Sequence, residues 1–257
     1  MRYVTKGRQP KELIEWKALN TSTPQNLVYG GSFPAEEVRR TMLAEQFHLC
    51  AYTLVQLKTA VECQDNTTIS CHVEHLLPQS RKIAGEDIDY QNMVACFPPS
   101  KSQVACEFGA KFKDDFDLTT GRYIDRRRMT SEKQKIEVLA QAGGFISPLS
   151  TTVGSHIDFD GLGNVKALTA SGETTIGVLN LNHKTLVNDR AAVIRGYLQP
   201  RGKKISAQSA RRLAQDIRQP DARRCLPAFC VAIAQVALDH ADREEGRAAR
   251  LKKKATP

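Results

Sequence analysis

Strand-type sequence in this chain comes only in short pieces, each cut off by a turn former, whereas helical periodicity runs long. Residues 51–57 (AYTLVQL) and 67–73 (TTISCHV) are rich in β-branched and apolar side chains and flank the polar stretch Glu62-Cys63-Gln64-Asp65-Asn66. That pattern predicts a β-hairpin over about 50–72. Pro78 closes the second strand, three residues after Glu74-His75, and a polar loop with Gly85 follows. YQNMVACF (90–97) is a short apolar element broken by Pro98-Pro99, and SHIDFDGLGNVKALT predicts a second hairpin turning at Gly161–Asn164. Helices are expected after Pro34, with Val38, Met42, Leu43 and Phe47 on one face; from Ser131 to a Gly143-Gly144 stop; from a cap near Asn182 to just before Pro200; over Ser206–Pro220; and from Leu226 onward. Short strands among longer helices make an α+β chain. Residues 1–33 read as mixed, with loop punctuation in TSTPQN and YGGSFP.

Bulk properties narrow the class. The 257 residues suffice for one large or two small domains. No apolar run is long enough to span a membrane, and the first residues lack a signal-type apolar core. A cytoplasmic bacterial-type protein is therefore expected. The seven cysteines are an odd number, and five of them (Cys50, Cys63, Cys71, Cys96, Cys106) fall in one stretch. In a reducing compartment that clustering favours metal ligands or buried thiols over disulfides. The net charge of +9 is concentrated at one end: from Arg201 on there are 14 Lys/Arg against 6 Asp/Glu, leaving the rest close to neutral. A basic tail is either a solvated surface or a contact for phosphate backbones.

The chemistry lies in CHVEHLLPQS, Cys71–Ser80. Successive strand side chains point to opposite faces, so a carboxylate and an imidazole converge only where the strand ends and the chain bends. One group can then hold a cation while the other takes a proton from water, which is what phosphodiester hydrolysis needs. Asn92, in the next apolar element, can fix the histidine ring. The alternative for His75 is a hydrogen-bonded structural residue at a strand end. HVEH does not fit the inverted zincin pattern, which needs two residues between the first His and the Glu. His48, His156, His183 and His240 read as surface or capping residues, and Tyr52 and Phe97 as core.

The combination CAYT, CHVEHLLPQS and DYQNMVACFPPSKSQVACEFGAKFKDD resembles the HNH endonucleases. More narrowly, it is similar to the nuclease subunit of Septu-type antiviral systems, also found beside some retrons. The resemblance covers roughly residues 1 to 200. It implies a ββα-metal core within a mostly helical protein: a lead-in over 1–45, a nuclease core over 46–120, an extension over 121–200 and a basic helical region over 201–257. It also implies that Glu74 ligates a divalent ion (Mg²⁺ or Mn²⁺), that His75 is the general base and that Asn92 orients it through a main-chain or side-chain oxygen. The family's last metal ligand has no clear counterpart; Asp114 and Asp115 suit it chemically, and Lys111 suits a phosphate. A structural zinc knuckle would use Cys50, Cys96 and Cys106, with Cys71, Cys63 or His72 as the fourth ligand because Thr53 stands where a cysteine is expected; the alternative is a set of buried free thiols. The implied partners are an ABC-type ATPase, a retron reverse transcriptase with its nucleic acid, and a DNA or RNA substrate. The apolar face of the C-terminal helices, read as more than the chain can bury, is the expected ATPase contact. A second reading keeps the fold but makes the chain a binding subunit.

Overall fold

The computed structural model describes residues 1–57, 71–99 and 106–255. Its α-helices are α1 (Lys11–Leu19), α2 (Ala35–Glu45), α3 (Ala110–Lys113), α4 (Ser131–Ala142), α5 (Ala170–Leu179), α6 (Lys184–Leu198), α7 (Ala207–Asp216) and α8 (Cys230–Ala255). Its strands form three antiparallel pairs: β1 (His72–His75) with β2 (Met93–Cys96), β3 (Phe116–Asp117) with β4 (Arg122–Tyr123), and β5 (Ile157–Phe159) with β6 (Val165–Ala167). The mixture is the α+β class expected from the sequence. None of the described helices is long and apolar enough to cross a membrane.

The first expected hairpin forms differently. Residues 49–57 fold back on themselves: Leu49 bridges to Gln56, Cys50 N donates to the Val55 carbonyl, and Leu54 turns the chain at φ 62°. The partner of β1 is instead β2, with His72 opposite Cys96 and His75 opposite Met93. The physical reason is that β2 is buried along its whole length and needs a strand on one side, while 49–57 close their hydrogen bonds locally. The proposed second strand reaches back to residue 67, but 67–70 lie outside the described residues, as does Cys63.

Gln46 ties α2 to this pair. Its buried amide donates to the carbonyls of Leu49 and Ala95, and its oxygen accepts from Ala95 N at 2.7 Å. Ala51 N adds a bond to the Ala95 carbonyl. At Ala95 the outer edge of β2 is thereby satisfied by a side chain and a loop.

One large core joins the N-terminal segment, β1–β2, the β5–β6 hairpin and the C-terminal helices. A satellite of Phe116, Tyr123, Ile136 and Val178 lies between β3–β4, α4 and α5. Leu226, Phe229, Cys230, Ile233 and Ala237 are all within the large core, each no more than 4% exposed. This corrects the expectation that their apolar face is left over for a partner: Phe229 takes a left-handed turn at φ 56°, its N donates to the Leu54 carbonyl, and α8 starts directly against the core. The α6 cap is also shifted. His183 caps the helix, its Nδ1 accepting from Thr185 N, while the Asn182 amide pairs with both backbone groups of Val165 and fastens β6.

Candidate active site

A cleft of about 320 Å³ opens at the end of β1. Its walls are β1 itself, the turn Pro78–Ser80, and α3 with the two residues after it, so that Glu74, His75, Lys111, Asp114 and Asp115 share one cavity. One short strand, a turn and a short helix thus bring together Glu74, His75, Lys111, Asp114 and Asp115. Arg81 anchors the turn: its guanidinium pairs with Glu86 and with Asp117 at 2.8 Å on β3.

His75 is 7% exposed and its ring is held on two sides. Nε2 lies 2.9 Å from the Asp87 carbonyl, and the Tyr29 ring meets it edge-on at 4.8 Å. A carbonyl only accepts, so Nε2 carries the hydrogen and the neutral ring keeps its lone pair on Nδ1. Nδ1 has no hydrogen-bond partner among the described residues. Burial pushes the His75 pKa below the ordinary imidazole value, outweighing the Asp87 carbonyl and the nearby carboxylates. The ring is therefore a neutral, oriented base at the wall of a cleft.

Asn92 does not touch that ring. Its Oδ1 accepts from Leu77 N at 2.8 Å, and its Nδ2 donates to the carbonyls of Leu77 and Glu86. Its own carbonyl accepts from Leu76 N. The carbonyl that orients His75 belongs to Asp87, one residue beyond the Glu86 that Asn92 grips. Asn92 thus places His75 through the loop, and Tyr29 N fixes the same loop by donating to the Asp87 carboxylate.

Glu74 is surrounded by positive charge. The Lys113 ammonium, fully buried, donates to Glu74 Oε1 and to the His75 carbonyl, both at 2.9 Å. His72 Nε2 stands 3.7 Å from Oε2, and His72 Nδ1 faces the Pro98 carbonyl. Burial alone would raise the Glu74 pKa; Lys113 and His72 outweigh it and hold the carboxyl below its ordinary range. Burial likewise pulls His72 down, but the Glu74 carboxylate and the Pro98 carbonyl prevail and raise it. Asp114, at φ 44° after α3, is half exposed and 3.7 Å from Arg128; the Asp115 carboxylate is engaged by Asp125 N and, at 3.8 Å, by Lys133. Lys111 is exposed at the rim.

A divalent cation does not fit these donors as they stand. Glu74 Oε1 is held by the buried Lys113 ammonium, Oε2 stands 3.7 Å from His72, and no three His, Cys, Asp or Glu side chains among the described residues are grouped to hold a metal. Of the cysteines, only Cys50 and Cys96 are hydrogen-bonded to each other among the described residues. Cys50 and Cys96 are buried neighbours, and Cys50 also receives Phe97 N at 3.4 Å. Burial would raise the Cys50 pKa, yet hydrogen bonds from Cys96, Thr53 and Phe97 bring it down to about 6. Thr53, where a fourth cysteine is expected, serves Cys50 as a hydroxyl donor. Burial raises Cys71 to about 12, and Cys106 donates its thiol to the Phe108 carbonyl.

Sequence reasoning did not find Lys113, Asp87 or Tyr29. Lys113 is indistinguishable from Lys111 in the sequence; only the four-residue helix turns one inward and the other out. No protein-family model matches this chain, and no curated protein matches it.

Proposed function

We propose that this chain is an HNH-type phosphodiesterase acting on nucleic acid, DNA in preference to RNA, as the effector of a bacterial antiviral complex. The observation that supports it is the state of His75: neutral, fixed through Nε2, with Nδ1 making no hydrogen bond among the described residues, in a residue that lines a cleft with charged groups. In this reading Nδ1 takes a proton from a water molecule, whose oxygen bonds to the phosphorus as the P–O bond to the leaving sugar oxygen breaks; that oxygen takes a proton from solvent, and Lys111 faces the charge that develops on the phosphate oxygens. General-base assistance of this kind is worth about 10²–10⁴ in rate. Mg²⁺ or Mn²⁺, implied by the resemblance, would have to displace Lys113 from Glu74, so no step is assigned to it. The ATPase and the retron reverse transcriptase rest on the resemblance alone, because the apolar face expected to dock a partner is inside the core.

The test is cleavage of plasmid DNA, single strands and tRNA by the full chain, with Mn²⁺ and with chelator. His75→Ala is expected to lower the rate by at least about a hundredfold. The depressed His75 pKa keeps the base form present into mildly acid solution, so the acid limb of the rate profile should lie below the ordinary value of 6.5. Equal cleavage by His75→Ala would exclude the assignment. A second reading is favoured by one observation: the Glu74–Lys113 pair already satisfies the carboxylate, as in a chain that keeps the fold for binding and has given up the metal. Sequence-independent binding without cleavage under every condition would support it.

A further inference from the structure

A second concave site lies far along the chain from Glu74 and His75. A groove of about 380 Å³ runs between α6, the middle of α8 and the tip of the β5–β6 hairpin. Its floor is apolar, made by Ile194, Leu198 and Val236. Its rim carries Arg195, Lys204, Arg243 and Arg247, all exposed, against one carboxylate, Glu244. Glu244 pairs with Arg247 at 3.0 Å. Arg195, Lys204 and Arg243 make no ion pair among the described residues; Arg243 only donates to the Asp239 carbonyl. Elsewhere on the same helix the situation differs, since Asp242 and Glu245 both clasp Arg211 of α7. Two of the four acids of α8 are thus spent on the α7 side, and the rim of the groove keeps more cations than acids.

The walls are held in place. His240 Nε2 bonds the Ile205 carbonyl at 2.8 Å and seats the segment that carries Lys204. The hairpin tip is pinned to α6 by Gly163 at φ +87°: a Cβ there would lie 2.2 Å from the Val187 carbonyl and 2.8 Å from Ala191 N. The Asp160 carboxylate accepts from Leu162 N, Asn164 N and the Asn164 amide and closes the turn. Leu162 is left at the lip of the groove, 73% exposed. The turn thus holds an exposed leucine beside cations that make no ion pair among the described residues.

We infer that this groove binds a single-stranded segment of nucleic acid, the rim cations taking phosphates while Leu162 and the apolar floor meet base faces. Phosphates answer unpaired arginine and lysine side chains, and bases answer an apolar floor and an apolar wedge. A purely acidic protein surface would match the rim and leave the floor and Leu162 unexplained. The choice of nucleic acid among polyanions rests on the proposed function, but the groove does not depend on cleavage at His75.

Binding is measured by fluorescence anisotropy of labelled single strands and duplexes, using the full chain with His75→Ala so that nothing is cut. The charge reversal Lys204→Glu/Arg243→Glu should weaken single-strand binding at least tenfold and lower the slope of log affinity against log salt by about 0.7 for each cation lost. Leu162→Asp should weaken it several-fold with no change in slope beyond that of its added charge, and Lys204→Arg/Arg243→Lys should bind as the parent does. Circular dichroism establishes that each variant is folded. Parent-like affinity and slope in the folded charge reversal would overturn the inference. So would a groove whose reversal abolishes binding to phosphatidylserine vesicles and leaves the oligonucleotide untouched. If the nuclease reading fails, with no cleavage by the unsubstituted chain, oligonucleotide binding sensitive to these residues still stands.

Discussion

The cleft at β1 and the groove beside α8 both gather cations, and they handle them in opposite ways. Around Glu74 the charges are buried, paired and hydrogen-bonded: Lys113 has no exposure, and its carboxylate partner is nearly closed off. Around Arg243 the cations are exposed, and among the described residues only Arg247 has an acid as partner, Glu244. Removing a charge from water costs several kcal/mol, so the first arrangement is stable only as a complete set. The second costs little, because water solvates each side chain, and it becomes useful only when an anion arrives. The first region therefore resists change through folding energy, and the second through binding.

The largest effect expected from breaking this contrast is on Lys113. Lys113→Met strands the Glu74 carboxylate in the interior and should cost about 3–5 kcal/mol in a urea melt at neutral pH. The pH dependence has a definite sign. In the parent chain Glu74 is held below its ordinary 4.5, so its contribution is present above that value and is lost as pH falls through the depressed one. In the variant the stranded carboxyl gains from taking up a proton, so the stability gap should narrow on acidification. Glu74→Leu combined with Lys113→Met removes both charges and should recover much of the loss. A single variant as stable as the parent would show that the pair does not hold α3 to β1.

A smaller loss is expected at Asn92. Its amide satisfies backbone groups of Leu77 and Glu86 in a part-buried loop. Asn92→Ala should cost about 1–3 kcal/mol, since those groups lose partners without regaining water. Because Glu86 adjoins the carbonyl that holds His75, the same variant should move the acid limb of the pH profile, which a merely structural residue would leave in place. Asn92→Asp keeps only the acceptor and should fall between.

How far this was legible in the sequence differs element by element. The helix from Ser131 was, because Thr130 caps it through Lys133 N and Gly143 ends it. The β5–β6 hairpin was, because Asp160 and Gly163 are turn formers with one geometry available. Helix α5 was not: ASGETTIGVL is rich in glycine and threonine, poor helix formers. Tertiary contact overrides that preference, since Gly172 lets the helix approach the His156 carbonyl and Thr175 accepts from Ile146 N. In the cleft, Glu74 and His75 were legible from their place between a strand and a proline. The carbonyl of Asp87 was not, because a backbone acceptor has no sequence signature, and the Asn92 amide, whose type and place in the sequence suggest contact with the ring, acts one loop away.

The smallest expected effect sharpens the comparison from the other side. Arg211 makes the best-formed exposed ion pairs of the C-terminal region, with Asp242 at 2.7 Å and Glu245 at 2.6 Å. By geometry they surpass the Glu74–Lys113 contact at 2.9 Å. Yet water screens them and ordering long side chains offsets the attraction, so Arg211→Ala should leave the urea midpoint where it was. Its effect should appear in binding instead: freeing Asp242 and Glu245 adds uncompensated negative charge to α8 and should weaken the oligonucleotide at low salt, with the difference vanishing as salt rises. A clear loss of stability in Arg211→Ala would mean that α7 depends on those surface pairs, and the division between a region held by buried charge and a region reserved for a ligand would fail.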